Sequence, residues 1–246
     1  MDMSVRQDNF KNGYFWELYQ DLELQLRDFL EYVPYLPENE NVCSFKLLNM
    51  ILSIGGHLDS AFKEIVRYKG YAKDPEIAKI KVRLDNWEKA WVSKRKIGQS
   101  DKVSMVEMFN VFEQKWHLST REVKYKILNV RPSKQPFLAI RKDPLRGWWS
   151  IYNGLKHDVA VALKEATLAN AWDALACAFI LNVIHQSAVE RLYDYNMLRD
   201  DYLGKGPGQD VFAGGLAKSH LADIAEKGTQ FDLFIETPLF LYRYKQ

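Results

Sequence analysis

Cysteine is nearly absent from this chain: Cys43 and Cys177 are the only two among 246 residues. No Cys-x-x-Cys pair and no histidine–cysteine cluster is available, which excludes the usual zinc sites and leaves the metal and cofactor expectation at none. Both cysteines sit in apolar helical patterns and read as reduced core thiols. Long hydrophobic runs are missing too. The stretch from Ala174 to Ile184 is interrupted by Asn182 and falls well short of the roughly 20 residues that cross a bilayer. The first dozen residues carry Asp2, Arg6, Asp8 and Lys11 without an apolar run, unlike a signal peptide. The expectation is therefore a cytoplasmic protein with no membrane partner. The glycine-rich phosphate loops, the Gly-x-Ser-x-Gly elbow and the His-Glu-x-x-His helix are all lacking. Gly204-Lys205-Gly206-Pro207-Gly208 shares only its glycines with a phosphate loop and reads as a turn. No internal repeat or low-complexity tract divides the chain.

Aromatic residues, by contrast, are plentiful. Seven Trp, 13 Tyr and 13 Phe imply a core filled with rings. Charge is also unevenly distributed beneath a net value of +2. Residues 1–78 hold 8 basic and 13 acidic side chains, a net of −5. Residues 79–146 hold 17 and 7, a net of +10, and residues 147–246 hold 9 and 12, a net of −3. The middle band is either a footprint for phosphate or a solvated helix face with a charged loop.

Helical spacing dominates the pattern. Phe15, Leu18, Leu22, Leu26, Phe29 and Val33 predict a helix over 9–33, stopped by Pro34 and Pro37. Ser44 caps a second helix over 44–68, with a stripe from Leu47 to Ile65. Asp74-Pro75 opens a third, closed before Gly98. Ser104 and Glu107 form a capping-box pattern ahead of a helix to Trp116. Between 118 and 140 the helical period fails. Val123, Tyr125 and Ile127 alternate with polar residues, which suggests an irregular or hairpin insertion. Asp143-Pro144 opens a helix reaching about 158, and Thr167 caps a long one reaching about 198. A small helix near 216–226 and a strand-like segment, 231–244, broken by Pro238, complete the chain. The expected fold class is thus all-α: one domain over 1–246, with a C-terminal extension over 204–246.

The densest chemistry lies in Trp148-Trp149-Ser150-Ile151-Tyr152-Asn153-Gly154-Leu155-Lys156-His157. At about 100° per residue, Trp148, Ile151, Tyr152 and Leu155 share an apolar side. Trp149, Asn153, Lys156 and His157 gather on the adjoining flank, where they are expected to line a concave polar site. His157 supplies a base near neutral pH, Lys156 a point charge for phosphate, and Asn153 an orienting amide. The alternative is that His157 and Asn153 only tie off the helix end. Asp59 is expected to approach this site, or else to pair locally with Lys63 four residues on. His57 and His185 read as buried polar residues.

The segment Tyr152-Asn153-Gly154-Leu155-Lys156-His157 resembles the signature region of HEPN domains. It is similar to a bacterial group in which a Trp-Trp/Tyr-Asn/Lys-His helix precedes an alanine-rich one, as Ala166 to Ile184 does here. The likeness covers about 10–70 and 136–198 and includes an acidic residue at Asp59. It implies an antiparallel, HEPN-like helical bundle that forms a homodimer. Active members of the family are metal-independent endoribonucleases, in toxin–antitoxin and other bacterial defence systems, whose arginine and histidine act at the scissile phosphate. Asn153 and His157 fall on matching positions. Tyr152 stands where the arginine belongs, and Arg146, 11 residues before His157, is about three turns away. Three roles follow: a non-catalytic RNA- or nucleotide-binding module, an endoribonuclease using His157 with Lys156 or Arg146, and a helical scaffold that binds a protein partner.

Overall fold

The computed structural model describes residues 10, 12–96, 98, 102–126, 133–142, 147–155, 158–194, 197–200 and 233–244. Most of them are helical. In chain order the helices are α1 (Tyr14–Leu30), α2 (Phe45–Arg67), α3 (Pro75–Val92), α4 (Met105–Trp116), α5 (Leu138–Lys142), α6 (Trp148–Leu155), α7 (Val159–Glu165), α8 (Leu168–Ile184) and α9 (Gln186–Asp194). The strands are β1 (Val123–Tyr125), β2 (Ser133–Lys134), β3 (Arg199–Asp200), β4 (Leu233–Glu236) and β5 (Phe240–Arg243).

The caps act where the sequence puts them. Ser44 Oγ accepts from the Leu47 N–H at 3.2 Å. Asp74 accepts from Glu76 and Ile77. Ser104 and Glu107 close a reciprocal capping box, and Thr167 accepts from Asn170. Each of these side chains satisfies N–H groups that the first helical turn leaves without partners.

α2 and α8 run side by side in the same direction, and α1, α6 and α8 pack around α2. At one end Cys43 pairs with Thr167 in a β-bridge, and the Leu168 N–H donates to the Val42 carbonyl at 2.9 Å. Further along, the Asn182 amide reaches His57 at 3.3 Å. The four long apolar stripes therefore share one core, as their spacing requires. Cys177 lies in that core, whereas Cys43 is exposed, because the bridge sets it on the connection before α2 rather than inside a helix.

The structure corrects three helix boundaries. α1 begins at Tyr14, not near residue 9, because Gly13 adopts φ +87° and the Arg191 guanidinium lies against it. α3 ends at Val92, where Lys94 takes φ +53°. The long C-terminal helix breaks at His185, whose ψ of 137° leaves the helical region. α9 then departs at 75° to α8, which brings Arg191 to the Gly13 carbonyl at 3.1 Å. No single helix among the described residues is long and apolar enough to cross a membrane.

The all-α expectation is also too simple. The hairpin of β1 and β2 forms within 118–140, but it joins a five-stranded antiparallel sheet in the order β2-β1-β5-β4-β3. β5 supplies the join: Lys124 pairs with Leu241, and Tyr125 with Phe240. The sheet rests on α8 through Phe240, whose ring meets Tyr125, Trp172 and Phe179 at 5.5, 6.0 and 5.5 Å. The β4–β5 turn is held from α1: Glu23 Oε1 accepts from the Thr237 hydroxyl at 2.6 Å and the Leu239 N–H at 2.9 Å. Residues 233–244 are thus tied into the core. The expected helix at 216–226, the glycine turn at 204–208 and the Asp143-Pro144 start lie outside the described residues.

Candidate nucleic-acid interface

The motif helix α6 lies on α2. The Tyr152 ring covers Gly55 so closely that a Cβ there would stand 2.2 Å from Tyr152 Cδ2. Only a glycine permits that approach. Tyr152 is therefore a packing residue, as its place on the apolar side suggests. Trp149 departs from expectation. Instead of lining a polar site, it is buried, with ring contacts to Trp148 at 5.8 Å and Tyr152 at 5.2 Å. The helix buries a wider arc than the 100° periodicity assigns, because α2, α7 and α8 all contact it. Asn153 is half-buried on the remaining flank. His157, Lys156 and Arg146 lie outside the described residues.

Asp59 stands one helical turn beyond Gly55 on α2. It pairs with Lys63 at 2.5 Å, both side chains being a little over a quarter exposed. Lys63 reaches onward, with Nζ 5.7 Å from the centre of the Trp87 ring. Trp87 in turn stacks on Trp91, 5.8 Å between centroids and 13° between planes. Asp59, Lys63, Trp87 and Trp91 thus form a continuous series from the α2 edge beside α6 to the outer end of α3. The helical spacing of Ile77, Ile80, Leu84, Trp87 and Trp91 predicts one buried stripe on α3. Ile77, Ile80 and Leu84 do bury there, but Trp91 is 67% exposed. The signal that could have separated them was the run Lys94-Arg95-Lys96, beginning three residues after Trp91.

Five cations of the basic band are neutralised within the protein. Lys79 pairs with Glu76, Lys81 with Asp85, Arg83 with Glu107, Lys126 with Glu236 and Arg141 with Glu113. Arg67 on α2 meets Asp85 and Glu88 on α3. The densest group of cations without such a partner among the described residues lies at the end of α3. Lys89, Lys94, Arg95 and Lys96 are exposed and make no ion pair among the described residues. A helix C-terminus attracts cations, but its partial charge is only about half a unit. Four cations exceed what that charge balances.

Two other polar clusters lie deeper, and neither offers a reactive group. His57 is 2% exposed. The same Asn182 nitrogen donates to the Ala178 carbonyl and contacts His57 Nε2, so Nε2 accepts and the proton resides on Nδ1. Burial pulls the His57 pKa down to about 4, and the imidazole stays neutral. On the far side of α8, the Tyr125 hydroxyl donates to Asp173 at 2.5 Å. Desolvation raises the Asp173 pKa despite that bond and a nearby Lys134. Burial, reinforced by Asp173, pushes the Cys177 thiol up, while the Trp148 indole pulls the other way. A buried thiol with a raised pKa is a poor nucleophile. Among the described residues no group of three or more His, Cys, Asp or Glu is arranged to hold a metal.

Comparison of the chain with family models, curated proteins and solved structures finds no match.

Proposed function

We propose that this protein is a helical module that binds nucleic acid without cleaving it, gripping phosphates with the cations at the end of α3. The observation that carries this reading is the segregation of charge. Five cations of the basic band are held by internal acids, whereas Lys89, Lys94, Arg95 and Lys96 cluster at the end of one helix, exposed and without an ion pair among the described residues. A surface of this kind attracts a polyanion and releases its counterions on binding.

Binding is favoured over cleavage by the environment of Tyr152. The position that carries the cation in active HEPN proteins is filled here by a buried phenol against Gly55. Such a group cannot stabilise charge on a pentacoordinate phosphate. The HEPN likeness of α6 also suggests a homodimer and a setting in bacterial defence, with Asn153, Lys156 and His157 along a second contact to RNA. The test is a titration of labelled RNA at several salt concentrations. The affinity of the native protein should fall steeply with salt, and Lys94→Glu/Arg95→Glu/Lys96→Glu should remove most of it. Salt-independent binding, or full binding by the triple variant, would overturn the reading. Incubation with total RNA beside His157→Ala tests the cleavage alternative, and light scattering at micromolar concentration tests the dimer.

A further inference from the structure

Resting on the reading just given, we infer that the Trp87–Trp91 stack is a platform for unpaired bases, so that the ligand at this site is single-stranded nucleic acid. Of the seven tryptophans in the chain, Trp91 alone is exposed; Trp16, Trp116, Trp148, Trp149 and Trp172 are buried, and Trp87 is half-buried beneath it. Trp91 is not a loose surface ring. Its plane is set by Trp87 at 13° and 5.8 Å, and Trp87 is itself steadied by the Lys63 ammonium, which Asp59 holds in place. A flat ring with a defined orientation, followed within five residues by exposed cations that make no ion pair among the described residues, matches what an unstacked base and its phosphate require. In a duplex the base faces are covered by their neighbours, and only the phosphates would engage.

The backbone after α3 closes the helix directly beyond Trp91. The Arg95 N–H donates to the Ala90 carbonyl and the Lys94 N–H to the Trp91 carbonyl, a closing turn that folds residues 94–96 back over the helix end. Lys94 occupies the left-handed position of this turn, at φ +53°, where glycine is the ordinary choice. The chain keeps a lysine there at a conformational cost, and such costs concentrate at functional positions.

An anionic membrane is the other surface that tryptophan and lysine can meet, but α3 lacks the necessary stripe. The other exposed apolar residues of α3 are Val92, about 100° around the axis from Trp91, and Val82, nine residues before it. The nine-residue separation of Val82 from Trp91 is about half a turn around the axis, so the three share no single stripe. Ile77, Ile80 and Leu84 are committed to the core. No continuous apolar face remains to enter a bilayer.

The test uses a short fluorescein-labelled oligouridylate, a blunt RNA duplex with the same number of phosphates, and vesicles rich in phosphatidylserine. The full-length protein is compared with Trp91→Ala and Trp91→Phe, after circular dichroism shows that both variants fold. The single strand should bind more tightly than the duplex and quench the protein's tryptophan emission. Trp91→Ala should weaken single-strand binding about tenfold or more, the scale of one lost base–aromatic stack, and abolish the quenching. Trp91→Phe should retain most of the affinity. Equal binding of the two RNAs, unchanged in Trp91→Ala, would overturn the platform while leaving the phosphate grip intact. Binding of neither RNA would overturn both, as would binding to vesicles alone.

Discussion

Two adjacent glycines on α2 allow the packing of the motif helix to be weighed by a single methyl group. At Gly56 an added Cβ meets nothing within 4 Å. Gly56→Ala should therefore gain the helix-propensity difference between glycine and alanine, about 1 kcal/mol. At Gly55 the same change gains the same propensity but drives the Cβ into the Tyr152 ring, at 2.2, 2.5 and 2.7 Å from Cδ2, Cγ and Cε2. Ordinary contact begins at 3.4 Å, so the ring must retreat by 3.4 − 2.2 = 1.2 Å. It has little room to do so, since Tyr152 is 8% exposed and leans on Trp149. Overpacking of this kind costs about 1–3 kcal/mol. Gly55→Ala should accordingly range from nearly neutral to about 2 kcal/mol destabilising. The gap between the two variants, about 1–3 kcal/mol, is the steric cost alone. For a domain of this size each kcal/mol moves the melting temperature by about 2–4 °C. Scanning calorimetry or urea titration reads the difference directly. In a Tyr152→Ala background the clash disappears, and Gly55→Ala should become stabilising by about 1 kcal/mol. If Gly55→Ala stabilises the native protein as much as Gly56→Ala does, then α6 does not pack on α2 as described, and the placement of Asn153 fails with it.

His57 should give the protein an acid-side weakness. Its folded pKa of about 4 lies below the unfolded value near 6.5, so the unfolded chain binds the extra proton between those values. The stabilisation by neutral His57 is therefore complete above about pH 6.5 and is lost as pH falls toward 4, by about 3 kcal/mol in all. His57→Phe should flatten this part of the pH–stability curve, and an unchanged slope would refute the assignment. Glu23→Leu should destabilise by about 2–4 kcal/mol, because the Thr237 hydroxyl and the Leu239 N–H lose a buried acceptor. Glu23→Gln, which keeps an accepting oxygen, should recover part of that loss, and hydrogen exchange at the β4–β5 turn should report the difference. Lys94→Gly should stabilise the fold by about 1 kcal/mol by relieving the positive φ. It should also lower the salt dependence of RNA binding by about one counterion; a gain in stability with no change in salt slope would remove Lys94 from the interface.

Local signals fixed most of the helical layout before any packing was known. Ser44, Asp74, Ser104 and Thr167 each combine a short acceptor side chain with a following apolar period, and each caps the helix it announces. The stripes of α1, α2 and α8 likewise carry their own instructions, since one face of each must leave water. The pairing of Asp59 with Lys63 was legible for the same reason, being an interaction within a single turn. What remained hidden depends on residues far apart in the chain. Lys124 and Tyr125 find their strand partners at 240–241, and no local period in 123–125 specifies that neighbour. The break at His185 is set by tertiary contacts that bring Arg191 to Gly13 across 178 positions, whereas the helical pattern alone runs straight through it. Trp149 shows the same limit on a helix face. Periodicity assigns it to the open flank, but how wide an arc is buried depends on how many neighbours surround the helix, and α6 has three. Trp91 is the converse case: its spacing matches Ile77, Ile80 and Leu84, yet the helix runs past the last of the described elements that could cover it, and an apolar stripe is buried only as far as its partner extends.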